Sequence, residues 1–447
     1  MTAATDTPET GERLAEPAPA QAAPILPGFR TVPRTGVIFV MHRAERAGYG
    51  SDGQTWVNLG QGSPEVGPLP GAPPRLETIE VDPSHRAYAP IQGLGELREA
   101  VAAMYNRTYR RGLPSQYSAE NVCIAPGGRA AMTRVAAAIG PANLGHFLPD
   151  YTAYEELLFT FRGFIPIPIL LEPSEGYRIG VEALEREMVG RGLAAVLFSN
   201  PSNPTGQTVL GERLQGFLAA AKRSRCAMVL DEFYSHYLYA ETGTRGSGRT
   251  SPEGVPPTVS GAAYVEDVDR DPVLLVDGLT KNWRYPGLRI AWIVGPRSLI
   301  EQTASAGSFL DGGASRPTQQ ATLPLLEADH VVAETRAIQS VFANKRAFML
   351  QRLRQLGVRV ESEPTGAFYV WGELSGLPEP LRDGTAFFER ALERRVITVP
   401  GVFFDVNPGR RRSISRFGSY SRFSFGSEMH LLQHGLDALE QLIGELR

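Results

Sequence analysis

From about residue 119 onward the chain alternates short, continuously apolar runs with amphipathic stretches, and this alternation constrains the fold most tightly. The runs are Asn121–Ala125, His146–Leu148, Ile165–Leu171, Ala194–Phe198, Ala227–Leu230, Val273–Val276 and Arg289–Val294. Between several of them lie Ala130–Ile139, Ala153–Phe161, Val181–Val189 and Leu210–Lys222, which read as amphipathic helices. A strand that is apolar throughout needs cover on both faces. The pattern therefore predicts an α/β architecture, a mostly parallel mixed sheet sandwiched by helices. In such sheets ligands bind beyond the carboxyl ends of the strands.

After about residue 317 the pattern changes. A long helical stretch (Thr318–Leu356) leads to short strands at Val358–Ser362 and Ala367–Trp371 and a helix at Thr385–Glu393. A strand near Arg422–Phe425 and a helix over Met429–Leu446 follow, so a smaller α+β domain is expected. The expected organisation is a disordered tail over 1–27, an arm and part of the small domain over 28–75, a large domain over 76–316 and the C-terminal small domain over 317–447. A Gly/Ser/Pro-rich stretch at 239–271 reads as an insertion, either a surface excursion or a cover for the site.

Composition excludes several classes of function. A chain of 447 residues exceeds one ordinary core, and 42% hydrophobic with 21% charged residues is the balance of a folded globular protein. A net charge of -3 gives no general attraction to nucleic acid or anionic membrane. No apolar run reaches the roughly 18 residues of a bilayer span. The first 27 residues hold no apolar segment of the secretory kind. Two cysteines, Cys123 and Cys226, rule out a disulfide scaffold or a four-thiolate zinc site; no metal is expected, and a reducing cytoplasm suits them.

Only three lysines occur among 45 basic residues. Lys222 and Lys345 lie in basic helical contexts and read as solvated. Lys281 instead follows the run Val273–Val276, in DGLTKNWRYPGLRIAW. Other runs end in comparable chemistry. Asn121–Ala125 is followed by PGGRAA, where Gly127 and Gly128 let backbone N–H groups approach an anion at a helix N-terminus. Ala194–Phe198 is followed by SNPSNPTGQ, and Ala227–Leu230 by DEFYSHY, which offers Asp231 and Tyr234. An anion cradle, an amide, an acid–phenol pair and an amine thus gather at the strand ends of one sheet.

With NPSNPTG, DEFY and the lysine and arginine of TKNWRYPGLRIAW in this order, the chain resembles the pyridoxal-phosphate-dependent enzymes of fold type I, and most closely the class I/II aminotransferases. The resemblance runs from about Val57 to the C-terminus. It implies that Lys281 is the Schiff-base lysine that forms the internal aldimine and moves the α-proton, so that an α-amino acid becomes a 2-keto acid by way of a quinonoid carbanion. Asp231 would keep the pyridine nitrogen protonated. Asn203 and Tyr234 would bond the ring's phenolic oxygen, and Tyr151 would stack on the ring. Gly127, Gly128, Arg129, Thr280 and Arg289 would cup the phosphate, and Tyr88 would reach the phosphate of a second subunit, implying a homodimer with shared active sites. Arg422, in SRFSFG, would grip the substrate α-carboxylate, with Gly62 opposite it and Asn203 beside it.

Three features depart from that pattern. Gly278 stands where serine is common, and Arg129 where a smaller polar residue is usual. Between Asp405 and Glu428 lie five arginines (Arg410, Arg411, Arg412, Arg416 and Arg422) and no acid. They read as a solvated face, or else as a loop over the site that would attract a phosphate-bearing or polyacidic substrate. These departures leave a β/γ-elimination, replacement or C–C bond-forming enzyme of specialised biosynthesis as the alternative to transamination. A regulator would need a DNA-binding head, for which the tail has no room. A dinucleotide enzyme would need G-x-G-x-x-G after a strand, and none is present.

Overall fold

The seven apolar runs become the seven strands of one sheet in the structure, a computed structural model that describes Val32, residues 34–239 and residues 255–447. The tail expected over 1–27 and residues 240–254 of the expected insertion lie outside the described residues. The chain first forms α1 (Gly36–Arg46), β1 (Val57–Asn58) and α2 (Gly95–Tyr109). It then alternates through β2 (Val122–Ala125), α3 (Gly128–Ala138), β3 (Asn143–Leu148), α4 (Tyr154–Thr160), β4 (Ile165–Leu170) and α5 (Val181–Gly190). Next come β5 (Leu193–Ser199), α6 (Gly211–Ser224), β6 (Ala227–Asp231), β7 (Val273–Gly278), β8 (Ala291–Val294) and α7 (Arg297–Leu310).

The strand order is β2-β8-β7-β6-β5-β3-β4. β8 runs antiparallel to β2 and β7, and the other pairs are parallel. The carboxyl ends of β2, β7, β6, β5 and β3 therefore share one edge. Register places Ser199 beside Asp231 and Asp231 beside Val276, so three candidate loops start at one level. Strands such as VCIA and AWIV are buried at every position, the consequence of helices on both faces.

The remaining elements are α8 (Arg316–Thr322), α9 (Ala328–Leu356), β9 (Tyr369–Glu373), α10 (Gly384–Glu393), β10 (Val396–Ile397), β11 (Val399–Pro400), β12 (Tyr420–Ser424) and α11 (Met429–Gly444). They form an antiparallel sheet, β11-β12-β9, and a parallel β1–β10 pair that ties the N-terminal segment to this half of the molecule. The helical stretch Thr318–Leu356 is not continuous: Pro324 cannot donate to the ladder, and a 3₁₀ turn over Leu323–Leu326 separates α8 from α9. The strand expected at Val358–Ser362 is reduced to a single bridge, Arg359 to Glu373.

The described end of the insertion is neither a surface excursion nor a cover. Thr258, Val259, Ser260, Gly261 and Ala262 are buried. Ser260 Oγ and the Gly261 N–H donate to the buried Glu232 carboxylate at 2.6 and 2.7 Å. Arg110 donates to the Ala262 and Val265 carbonyls, both at 2.7 Å. A stretch rich in turn formers is held here by buried polar anchors, which composition does not report.

Candidate active site

Beyond the shared strand edge lies a cavity of about 540 Å³. From the large sheet it is lined by Gly128, Arg129, Tyr151, Asn203, Asp231 and Tyr234, with Thr280, Lys281 and Arg289 from the turns after β7. Gly62 and Arg422 close it from the other half of the molecule. Gly127 sits directly behind the wall as the N-cap of α3.

Lys281 occupies the centre. Its amine donates to the Gly62 carbonyl. Burial among the cavity walls, reinforced by the positive charges of Arg422, Arg129 and Arg289, lowers its pKa from 10.5 to about 7, and Asp231 offsets part of this. Near neutral pH much of the amine is therefore uncharged and nucleophilic. Asp231, at the end of β6, is 7% exposed and takes a 2.6 Å hydrogen bond from the Tyr154 hydroxyl. Burial raises its pKa, while Tyr154, the Phe233 N–H and Lys281 pull it back.

One end of the cavity is an anion cradle. Gly127 has φ +95°, and a Cβ there would lie 2.1 Å from Nη2 of Arg289, so only glycine admits the guanidinium. Arg289 itself has φ +55° and is anchored by Nη1 donating to the Pro286 carbonyl at 3.0 Å. Next to these groups, α3 presents the N–H groups of its first turn, with the positive end of its dipole. The glycine at 278 follows from the sheet, because a Cβ would lie 2.5 Å from the Ile290 carbonyl oxygen on the adjoining chain. A serine has no room there. Arg129 lines the cavity beside Gly128, with its Nη2 donating to the Tyr151 hydroxyl at 3.4 Å.

The opposite end is built around Arg422, which is 1% exposed. Its Nη1 donates to Asn203 Oδ1 at 2.7 Å and its Nη2 to the Gly60 carbonyl. The guanidinium lies 4.2 Å from the Tyr369 ring centre and 4.9 Å from that of Phe404. Its Nε is buried with no hydrogen-bond partner among the described residues. With its oxygen taken by Arg422, Asn203 has its NH₂ left to give. Tyr234 and Tyr369 share a 2.8 Å hydroxyl contact, and a Cβ on Gly62 would lie 2.3 Å from the Tyr369 hydroxyl.

One expectation fails, and one expected residue stays apart from the site. Lys345 is not solvated: it is 2% exposed and paired with Glu65 at 2.6 Å. Arg410, Arg411 and Arg416 are exposed, as the solvated-face reading expects, and none of Arg410, Arg411, Arg412 and Arg416 lines the cavity, so the alternative of a loop over the site is not met. Asp405 draws Arg412 to 2.6 Å, Arg411 reaches the Pro166 carbonyl at 3.4 Å, and the turn over Pro408–Arg410 packs on α4. Tyr88 is 96% exposed and lies outside the cavity of its own chain. Sequence reasoning missed Tyr154 and Tyr369, both buried and both lining the cavity. Tyr154 falls three residues after Tyr151, one helical turn on, a spacing that could have flagged it.

Residues 54–438 match the family model described as aminotransferase class I and II. The aspartate/prephenate aminotransferase of Thermus thermophilus is 29% identical over 363 residues, 80% of this chain and 83% of that protein. The aspartate aminotransferase of Streptomyces avermitilis is 26% identical over 378 residues, 82% of this chain and 84% of that protein. The structure of the Thermus thermophilus aspartate aminotransferase with maleate superposes with a TM-score of 0.73 at 24% identity, covering 93% of this chain and 100% of that one. The chain belongs to the class I and II aminotransferase family. It is a pyridoxal-phosphate-dependent aminotransferase, and amino-group transfer is favoured over elimination, replacement or C–C bond formation.

Proposed function

We propose that this cavity seats pyridoxal 5'-phosphate and that the protein transfers the amino group of an α-amino acid carrying a second carboxylate. The observation that carries the reading is a lysine amine brought near neutrality between a buried carboxylate and arginines at both cavity ends. The residues fit the cofactor. Gly127, Gly128, Thr280 and Arg289 would hold its phosphate, Tyr151 would stack on its ring, and Asn203 and Tyr234 would meet its phenolic oxygen. Asp231 would face its ring nitrogen. When bound, the group supplies a carbonyl that exchanges with the substrate amine and a ring that accepts the electrons left at Cα.

The protein supplies the rest. Arg422, fixed by two partners, holds the α-carboxylate, with Gly62 and Asn203 beside it. Lys281, as the neutral amine, takes the proton from Cα. Asp231, as the anion, stabilises positive charge at the ring nitrogen. Arg129 is the cation left over. With only the Tyr151 hydroxyl against it among the described residues, it suits a second substrate carboxylate, in keeping with the aspartate and prephenate in the names of the relatives.

Tyr88, exposed on its own chain together with Phe309 at 74% and Val81 at 57%, supports a homodimer in which Tyr88 completes the partner's phosphate cup. Among the described residues no helix is long and apolar enough to cross a membrane, and two buried, unpaired cysteines fit a reducing cytoplasm.

The test is covalent. Pyridoxal 5'-phosphate added to the purified protein and fixed with borohydride is expected on Lys281; fixation on Lys222 or Lys345 would refute the reading. A single turnover with aspartate should then leave the pyridoxamine form and a 2-keto acid.

A further inference from the structure

Asp231 is an acid in an unfavourable place. It is buried at the floor of the cavity, and other acids crowd it: Asp150 after β3, Glu232 in its own turn, and Asp277 on β7. The groups of other character that face it are the Lys281 amine, the Phe233 N–H at 3.4 Å and the Tyr154 hydroxyl from α4. Of these the Tyr154 contact is the short one, 2.6 Å to Oδ2, and Tyr154 is itself 1% exposed. A buried carboxylate without strong donors takes up a proton and can no longer stabilise a positive charge. The hydroxyl at 2.6 Å opposes that, because it donates to the ionised form. Tyr154 also meets Tyr151 edge-on, ring centres 5.4 Å apart at 80°. One side chain therefore braces both the acid and the aromatic wall beside it.

We propose that Tyr154 is a positioning residue which, by donating its hydroxyl to Oδ2 of Asp231, keeps that carboxylate ionised and leaves its second oxygen to accept from the cofactor's ring nitrogen. The inference rests on the cofactor reading above. It adds that the charge on the ring is set from α4 through Asp231.

The test is Tyr154→Phe, which removes one oxygen and keeps the packing. Loss of a donor to the charged form raises the Asp231 carboxyl pKa, so the acid limb of the kcat profile should move to higher pH. At fixed acidic pH kcat should fall roughly 10- to 100-fold, the worth of a hydrogen bond to a charged group, with KM for the amino acid little changed. The absorbance of the bound cofactor, followed against pH without substrate, should shift in the same direction. Tyr154→His, whose ring N–H can also donate, should restore part of both shifts. It also serves as the probe if the phenylalanine variant does not fold. In an Asp231→Asn background, Tyr154→Phe should change the dissociation constant of pyridoxal 5'-phosphate less than about twofold, since the acid it serves is gone.

An unchanged acid limb and cofactor spectrum would overturn the proposal whatever the rate does. So would a loss of cofactor affinity in the Asp231→Asn background as large as in the parent. Failure of the wild-type chain to carry the cofactor on Lys281 would instead refute the function itself.

Discussion

Two interior lysines divide the molecule into a reactive region and a structural one. Lys345, on α9, is enclosed; its amine donates to Glu65 at 2.6 Å and to the Ser427 carbonyl at 2.7 Å, with the Phe342 ring centre 4.6 Å away. Lys281, half-buried on the cavity wall, donates to one neutral carbonyl, that of Gly62. Burial lowers the pKa of both amines. For Lys345, Glu65 pulls it back up, whereas for Lys281 three arginines push it further down, against a single offset from Asp231. Burial with a counter-ion preserves a charge, and burial among like charges releases a nucleophile. Lys345 thus clamps the N-terminal segment. The same segment, held also by Arg284 donating to the Glu65 and Gly67 carbonyls at 3.0 and 2.7 Å, presents Gly62 to Lys281.

Exchanging the two roles by mutation gives the largest expected effects. Lys281→Ala should abolish borohydride-fixed cofactor and cost at least about 10⁴-fold in turnover, with folding unimpaired in urea titration. Lys345→Met should do the reverse. It should still fix cofactor on Lys281, but it leaves Glu65 without its cation and should lose about 3 kcal/mol of stability. Equal loss of cofactor in both variants would break the comparison.

A finer test moves the poise of Lys281. Wild-type apoprotein should capture pyridoxal 5'-phosphate faster as pH rises, with a midpoint near 7, because the neutral amine reacts. Arg422→Gln removes a neighbouring positive charge, which favours the ammonium form, so its midpoint should lie above that of the wild type. A midpoint that stays put would show that burial alone sets the amine. The smallest effect is expected at the arginine turn: Arg410→Ser with Arg411→Ser should leave KM and its salt dependence within about twofold, since neither residue lines the cavity.

Much of this was legible in the chain. All seven strands of the large sheet announced themselves as continuous apolar runs, because a sheet covered on both faces needs them and little else produces them. The loop residues Lys281, Asp231 and Asn203 could be picked out because each follows such a run, whereas Arg289, which opens one, came only with the resemblance. Tyr154 and Tyr369 escaped notice because a buried tyrosine on a helix or strand looks like core until its hydroxyl is seen to meet Asp231 or Tyr234. Lys345 was misjudged for a related reason. Its partner Glu65 lies 280 residues away in the chain and meets it for causes unrelated to local composition, whereas the arginine turn keeps an exposed, solvated face and folds onto α4 rather than over the cavity.

The amino-acid sequence alone determined the parallel sheet, the edge at which the loops gather and the lysine among them, because backbone periodicity and strand-end chemistry are local properties. Only the tertiary structure decided which lysine loses its charge, which tyrosine supports the acid and which arginine stays available to a substrate. Those outcomes depend on burial and on charges brought within a few ångströms by residues far apart in the chain.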